Sequence, residues 1–395
     1  MRISGAQVCE RHGEIEYRFR VDCPGFSDAL WYRIESKFAN LVADLSDAAL
    51  AALLIPAMAR GAAIHIDGAV SKRLYYNLAG PYQRLLQHVI PSLRAVGIYP
   101  GELRSNTQRA CGVATGFSGG IDSYCVLADH HYSDAGFKLT HLLFNNVGSH
   151  GRGKKGAVLF QERHARAARV AERMGLPLVK LDSNTDAFYT DAIGFEQTHT
   201  PRNAAVALLL QGGLGRYLYA SGHGYADTFV GEAKSTAYSD AVALPLLSTD
   251  VLDAVSAGAH YTRVEKTLRV AEVADSHDSL DVCMNPHRAG NCSACAKCLR
   301  TLLTLDIAGL LDRYSGVFDL AAYRRRRSYF IGTVLRSREP LLIEIAKFAK
   351  QRQFAVPTSS RLSGLSEGVK IPLRPARNLA RALLGKLAIR LQGPS

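Results

Sequence analysis

Two short stretches of this 395-residue chain carry residue types at spacings that can do chemistry. The first is Ser118-Gly119-Gly120-Ile121-Asp122-Ser123, which follows an apolar run and opens into a helical one. Two glycines let the backbone bend tightly, so that consecutive N–H groups converge on an anion. Two serine hydroxyls add donors, and the helix N-terminus adds the positive end of its dipole. The pattern predicts a pyrophosphate cradle held by Ser118, Gly119, Gly120 and Ser123, with Asp122 placed to hold Mg²⁺. It has neither the lysine of a Walker loop nor the spacing of GxGxxG, which argues against a γ-phosphate transferase and an NAD enzyme. The second stretch is C-x8-C-x2-C-x2-C, formed by Cys283, Cys292, Cys295 and Cys298. Two overlapping C-x2-C turns can wrap one tetrahedral metal and Cys283 can close the fourth position, which predicts a structural zinc site with no open coordination place. An iron–sulfur cluster on the same thiolates and a reduced, metal-free cluster are the alternatives. His287, inside the loop, is read as exposed rather than as a ligand.

The elements that must position these groups follow from the apolar pattern. Residues 110–320 alternate apolar, β-rich segments with helical ones, which predicts βαβ units around a parallel sheet. Strands are placed at residues 112–115, 140–144, 176–181 and 216–221. A charged, alanine-rich helix is placed at residues 160–174, with Gly175 as its terminating glycine. Residues 1–105 mix strand-like and helical stretches without any chemical spacing and are read as a small α+β accessory domain. The expected division is therefore 1–105, 106–320 and 321–395, the last a basic, mainly helical extension. That extension holds an arginine run at 324–327, a helical stretch to about residue 350, a Ser/Gly-rich loop at 358–368 and a basic amphipathic helix at 375–391.

Hydrophobic residues make up 47% of the chain and charged residues 21%, with no apolar run near the ~18–20 residues of a bilayer-spanning helix. No secretion signal is visible at the amino terminus, so a soluble, cytoplasmic protein is expected. Four of the eight cysteines lie within the cluster, which favours metal ligation over cross-linking. The net charge of +13 is uneven: residues 321–395 hold sixteen Lys and Arg against three Glu, so residues 1–320 sum to zero. Such a block is a solvated face or the contact surface for nucleic acid or an anionic membrane.

The SGGIDS string in its strand–loop–helix context resembles the loop of the PP-loop ATP pyrophosphatases, a superfamily with a Rossmann-like parallel sheet of the HUP type. That resemblance implies that the loop binds the β,γ-pyrophosphate of ATP while a substrate oxygen attacks the α-phosphate, the AMP ester then being displaced by nitrogen or sulfur. The cysteine spacing at the end of that region is similar to the zinc site of the 7-cyano-7-deazaguanine synthase family, which makes a nitrile from a carboxylate, ammonia and ATP. Glu162, His164, Ala168, Ala171, Gly175 and Asp182 are in register with that family, and Pro201-Arg202-Asn203 matches one of its elements loosely. The resemblance covers about residues 110–310. It departs at Asn145-Asn146-Val147-Gly148 and at residues 221–227, the two loops that would border the base-recognition pocket.

The nucleotide-binding set implied is Ser118, Gly119, Gly120, Ile121, Asp122 and Ser123 with Phe144 and Asn203; Asp122, Arg202 and Lys266 are the implied catalytic residues, and ATP, Mg²⁺ and Zn²⁺ the cofactors. Cys111 and Cys125 flank the loop and are read as structural rather than as sulfur carriers, and His199 and His223 as loop histidines rather than bases. Lys180 is left open between phosphate and solvent. The leading expectation is adenylylation of a carboxylate or carbonyl oxygen on a small-molecule or nucleobase-like substrate, with ammonia giving an amide or nitrile. Sulfur transfer from a sulfur donor is the alternative, and a non-catalytic ATP-binding module docked on nucleic acid the third reading. A homodimer is expected.

Overall fold

A computed structural model describes residues 1–133, 136–283, 285, 290–358 and 360. Eleven strands form one sheet: β1 (Arg2–Ile3), β2 (Gln7–Arg11), β3 (Glu14–Cys23), β4 (Phe26–Glu35), β5 (Ile64–Ser71), β6 (Ile98–Arg104), β7 (Gly112–Gly116), β8 (His141–Asn146), β9 (Leu178–Ser183), β10 (Leu214–Ala220) and β11 (Asp253–Ala257). Their order is β11-β10-β7-β8-β9-β4-β3-β1-β5-β6, with β2 paired on β3. From β11 to β9 all neighbours are parallel; β9 meets β4 antiparallel, as do β4 and β3, and β3 and β1; β1, β5 and β6 are parallel again.

The described helices are α1 (Asp47–Arg60), α2 (Lys72–Ala79), α3 (Pro81–Val89), α4 (Ile121–His130), α5 (Gly153–Met174), α6 (His199–Leu209), α7 (Asp240–Ala243), α8 (Arg263–Val270), α9 (Ala274–His277), α10 (Ala296–Ile307), α11 (Leu320–Arg336) and α12 (Pro340–Gln351). Successive strand residues point to opposite faces, so Leu142 and Phe144 enter one apolar cluster and Leu143 the other. Helices α1, α2, α3 and α6 fill the first cluster, and α4, α5, α8, α10, α11 and α12 the second. With both faces covered, the central strands are apolar almost throughout, as parallel strands must be. The chain is α/β with a mostly parallel, Rossmann-like sheet.

The chain walks β7, β8, β9 in one direction and then returns through α6 to β10 on the other side of β7. The connections that follow β7 and β10 therefore leave in opposite directions, which opens a crevice at the carboxyl ends of these two paired strands. Helix α5 begins at Gly153, seven residues earlier than its apolar stripe indicates, and ends at Gly175, whose φ of 66° lets its N–H reach the Ala171 and Glu172 carbonyls. The four expected strands are present within two residues.

The strands of residues 1–105, expected as an α+β unit, do not form a sheet of their own: β4 pairs with β9 (Tyr32↔Ser183, Ile34↔Leu181) and continues the same sheet. Every residue of α1 from Asp47 to Met58 is buried, and α1 packs on α6. The described part of the C-terminal extension consists of α11 and α12. Tyr323 and Arg327 of α11 reach Asp306 of α10 at 2.8 and 2.5 Å, while residues 324–326 remain exposed. The amphipathic helix expected at 375–391 and nearly all of the Ser/Gly-rich loop lie outside the described residues, as does His287. Among the described residues no helix is long and apolar enough to cross a membrane.

Candidate functional site

The loop after β7 is shaped by backbone before any side chain acts. Gly119 has φ +74°, a conformation that side chains resist, and its carbonyl accepts the Asp281 N–H at 2.8 Å. Ser123 donates to the Gly120 carbonyl at 3.0 Å, and the Gly120 N–H points back to Ser118 Oγ at 3.4 Å. Helix α4 starts at Ile121, so the loop presents its amides together with a helix N-terminus. These residues floor a cleft of about 470 Å³ at the carboxyl ends of β7, β8 and β10. Ser118, Gly120, Ile121, Asp122, Ser123, Phe144 and Asn203 line it, as does Cys283 of the cluster; Gly119 forms the turn behind them.

The walls are cationic. Arg163 of α5, Arg263 of α8, and Lys297 and Arg300 of α10 all line the cleft, against two carboxylates, Asp122 and Asp281. Asp281 pairs with Arg166 at 3.3 Å, and Asp122 Oδ1 is met by Arg263 Nη1 at 2.8 Å and Lys266 Nζ at 3.3 Å. Burial alone would raise the Asp122 pKa, but the two cations outweigh it and hold the carboxyl below its usual range. Burial also lowers the pKa of Arg300, and Arg263 adds to that. So much partly desolvated positive charge around a glycine loop is an environment for an anion.

Two expected phosphate contacts are corrected. Lys266 is 2% exposed and does not line the cleft; its Nζ donates to the Ser221 carbonyl at 2.6 Å and Oγ at 2.7 Å, so it acts on Asp122 from behind. Arg202, 1% exposed, is turned away altogether. It donates to Asp186 at 2.6 Å and to the Val147 carbonyl at 3.0 Å, and its guanidinium lies 3.6 Å over Tyr189. A long side chain on the first turn of α6 reaches sideways into the 186–189 segment because a carboxylate and an aromatic face are both there. Lys180 sits over Phe160 at 5.7 Å and His223 stacks on Tyr238 at 3.9 Å; neither lines the cleft.

His199, read from sequence as a loop residue, opens α6 and lines the cleft. Its Nδ1 lies 2.6 Å from the Tyr219 hydroxyl. Burial, then Arg202 and Lys297, press its pKa down to about 4, while burial drives that of Tyr219 well up. Both groups are therefore uncharged in the fold, and they share one hydrogen bond whose direction follows the tautomer of the imidazole. Phe195, Tyr217 and Asn145 complete that end of the cleft.

Sequence reading also missed Arg263, Lys297 and Arg300. Lys297 and Arg300 follow Cys295 at helical spacing, three residues apart on one face of α10, which was a legible signal. Arg263 directly follows Thr262 in the T-x-x-E capping box that starts α8. That box marks a helix start, but nothing in it tells which way Arg263 turns.

The four cysteine Sγ atoms lie within 4.8 Å of one another, and Cys292 and Cys298 are 3.9 Å apart. A tetrahedron of Zn–S bonds of ~2.3 Å has sulfur–sulfur edges of about 3.8 Å, so the set fits a metal such as zinc. Backbone N–H groups of Asn285 and Cys295 point at Cys283 and Cys292 sulfur, at 3.4 and 3.2 Å, as donors to thiolates do. Through Asp281, whose carboxylate accepts the Cys283 N–H, this cluster is stitched to Gly119 of the loop. For Mg²⁺ the fit is narrower. Asp122 Oδ2 makes no hydrogen bond among the described residues, so one carboxylate oxygen is open, and an octahedral ion there would need water or ligand oxygens for its other positions.

Comparison of the chain with protein-family models, with curated proteins and with solved structures found no match. The fold and site themselves define an α/β protein with a glycine-rich, cation-walled cleft at its sheet switch point and a four-cysteine cluster able to bind a metal.

Proposed function

We propose that this chain is an ATP-dependent enzyme of the PP-loop type, which adenylylates a carboxylate or carbonyl oxygen and then delivers nitrogen to the activated carbon. The observation that carries the reading is the position of residues 118–123: at the end of β7, at the head of α4, and facing four cations across one cleft. In the proposed reaction the acceptor oxygen attacks the α-phosphorus, the bond from that phosphorus to the bridging oxygen breaks, and pyrophosphate leaves with the electron pair. Loop amides and the serine hydroxyls hold the leaving group, and Arg263, Lys297 and Arg300 offset the charge that develops on it without reorganising. Ammonia then attacks the acyl carbon and AMP leaves, giving an amide and a released proton. A second activation on the amide oxygen, with loss of AMP and the remaining nitrogen protons, gives the nitrile. Mg²⁺, when bound at Asp122, would screen the phosphate charges. Zinc on the four cysteines would be structural, fixing the turn that starts α10 and with it Lys297 and Arg300.

Transfer of sulfur by a cysteine of this chain finds less support. Cys125 is fully buried and burial pushes its thiol up to about 12, so it forms little thiolate. Cys111 precedes β7, at the end of the strand opposite the loop, about 15 Å away at ~3.3 Å per residue.

The test is product analysis. The full chain is incubated with ATP, ammonium and a small-molecule fraction from cells, and AMP with pyrophosphate is expected, dependent on that fraction. ADP with orthophosphate, or AMP formation supported by sulfide but not ammonium, would overturn the nitrogen-transfer reading.

A further inference from the structure

The first turn of an α-helix leaves its leading N–H groups without partners inside the helix. At α8 every one of them is accounted for. Thr262 and Glu265 form a reciprocal capping box, with Thr262 N–H donating to Glu265 at 2.7 Å and Glu265 N–H donating to Thr262 Oγ1 at 3.2 Å. The two left over, Arg263 N–H and Val264 N–H, donate to Oε2 of Glu344 at 2.7 and 3.4 Å. Glu344 lies on α12, some eighty residues further along the chain and outside the region that resembles the PP-loop enzymes.

The residue held in this way is a cleft residue. The Arg263 guanidinium spans Asp122 of the loop at 2.8 Å and the Gly222 carbonyl after β10 at 2.9 Å. Its Nε is buried with no hydrogen-bond partner. A buried unpaired donor costs stability, so the guanidinium does not satisfy all of its own hydrogen bonding here, and the groups that grip the first turn of α8 help to set its place. A second cleft cation is tied to the same helix: Arg300 lies 3.8 Å from Glu339, the residue that caps the N-terminus of α12. Leu341, Ile345 and Phe348 anchor α12 among the buried residues beneath α8 and α10.

We infer that Glu344 is a positioning residue for Arg263, and that α12 is a working part of the anion-binding end of the cleft. The inference rests on the ATP pyrophosphatase reading for the identity of the anion. Removing the carboxylate frees the first turn of α8 and lets Arg263 drift from the loop, while the loop itself stays intact. The effect therefore falls on affinity for the phosphate group before it falls on the fold.

The experiment uses the full-length protein and inorganic pyrophosphate, with calorimetric Kd and melting temperature measured in parallel. Glu344→Ala is expected to weaken pyrophosphate binding about tenfold, a change of the size that losing a helix cap produces. Glu344→Gln keeps an acceptor oxygen and should stay within about twofold of the parent. Ile345→Ala, which removes buried α12 packing but no contact to Arg263, should melt lower and bind pyrophosphate as the parent does. Equal losses of affinity in Ile345→Ala and Glu344→Ala would reduce Glu344 to general packing and overturn the inference. Unchanged binding in Glu344→Ala overturns it as well, and leaves the functional reading standing. A parent protein that does not bind pyrophosphate overturns both.

Discussion

Arg263 Nη1 donates to Asp122 Oδ1 across 2.8 Å and so ties the first turn of α8 to the first turn of α4, 141 residues apart in the chain. The pair shares its carboxylate oxygen with Lys266, so one anion faces two cations and the cluster keeps a net positive charge beside the loop.

Groups that act as such a unit lose function together. Asp122→Asn and Arg263→Ala should each lower the rate of pyrophosphate release on the order of 10²-fold, and the double variant should be no worse than about the poorer single one. Steady-state kinetics with folding checked by circular dichroism reads this out, and multiplicative losses would show that the two residues act independently.

The cysteine cluster predicts about one zinc per purified chain by elemental analysis. Cys295→Ser should lose most of it and lower the melting temperature by more than about 5 °C, because metal binding and folding are coupled. Iron with visible absorbance in place of zinc would move the site to the cluster chemistry considered from sequence.

Asp240 is 1% exposed; it accepts one hydrogen bond, from Thr200 at 2.6 Å, and its Oδ2 has none. Burial raises its pKa to about 7, against the lowering effect of Thr200. The folded protein thus holds this proton more tightly than the unfolded chain does, so the protein loses stability as pH rises from about 4 to about 7. Beyond pH 7 the loss is complete, at about 4 kcal/mol for a shift of this size. Asp240→Asn should remove that dependence and melt higher than the parent at pH 8 but not at pH 4. Parallel melting curves for both proteins between those pH values would refute the burial argument.

Arg202 separates a structural arginine from a phosphate ligand. Removing the buried guanidinium from Asp186, which keeps Arg152 as a partner, in Arg202→Leu should cost about 2 kcal/mol of stability, measured by denaturant melts. Pyrophosphate affinity should stay within about twofold, since Arg202 does not line the cleft. A large loss of affinity without a loss of stability would restore the phosphate role expected from sequence.

The sequence by itself determined what is fixed within a few residues. The loop at 118–123, the helix it opens, the four central strands and the metal spacing of the cysteines are local patterns, because tight turns, helix starts and C-x2-C loops are set by neighbouring dihedrals and short ligand distances. Only the tertiary structure decided where long side chains point. Arg202 and Lys266 turn inward and Arg263 and Arg300 turn into the cleft because of partners at Asp186, Ser221, Asp122 and Glu339. Those partners come from other elements, and no spacing along one element encodes them. The same holds for the sheet: β4 has an ordinary alternating pattern, and its union with β9, which makes residues 1–105 part of the same sheet, depends on an edge that exists only once the parallel strands have assembled.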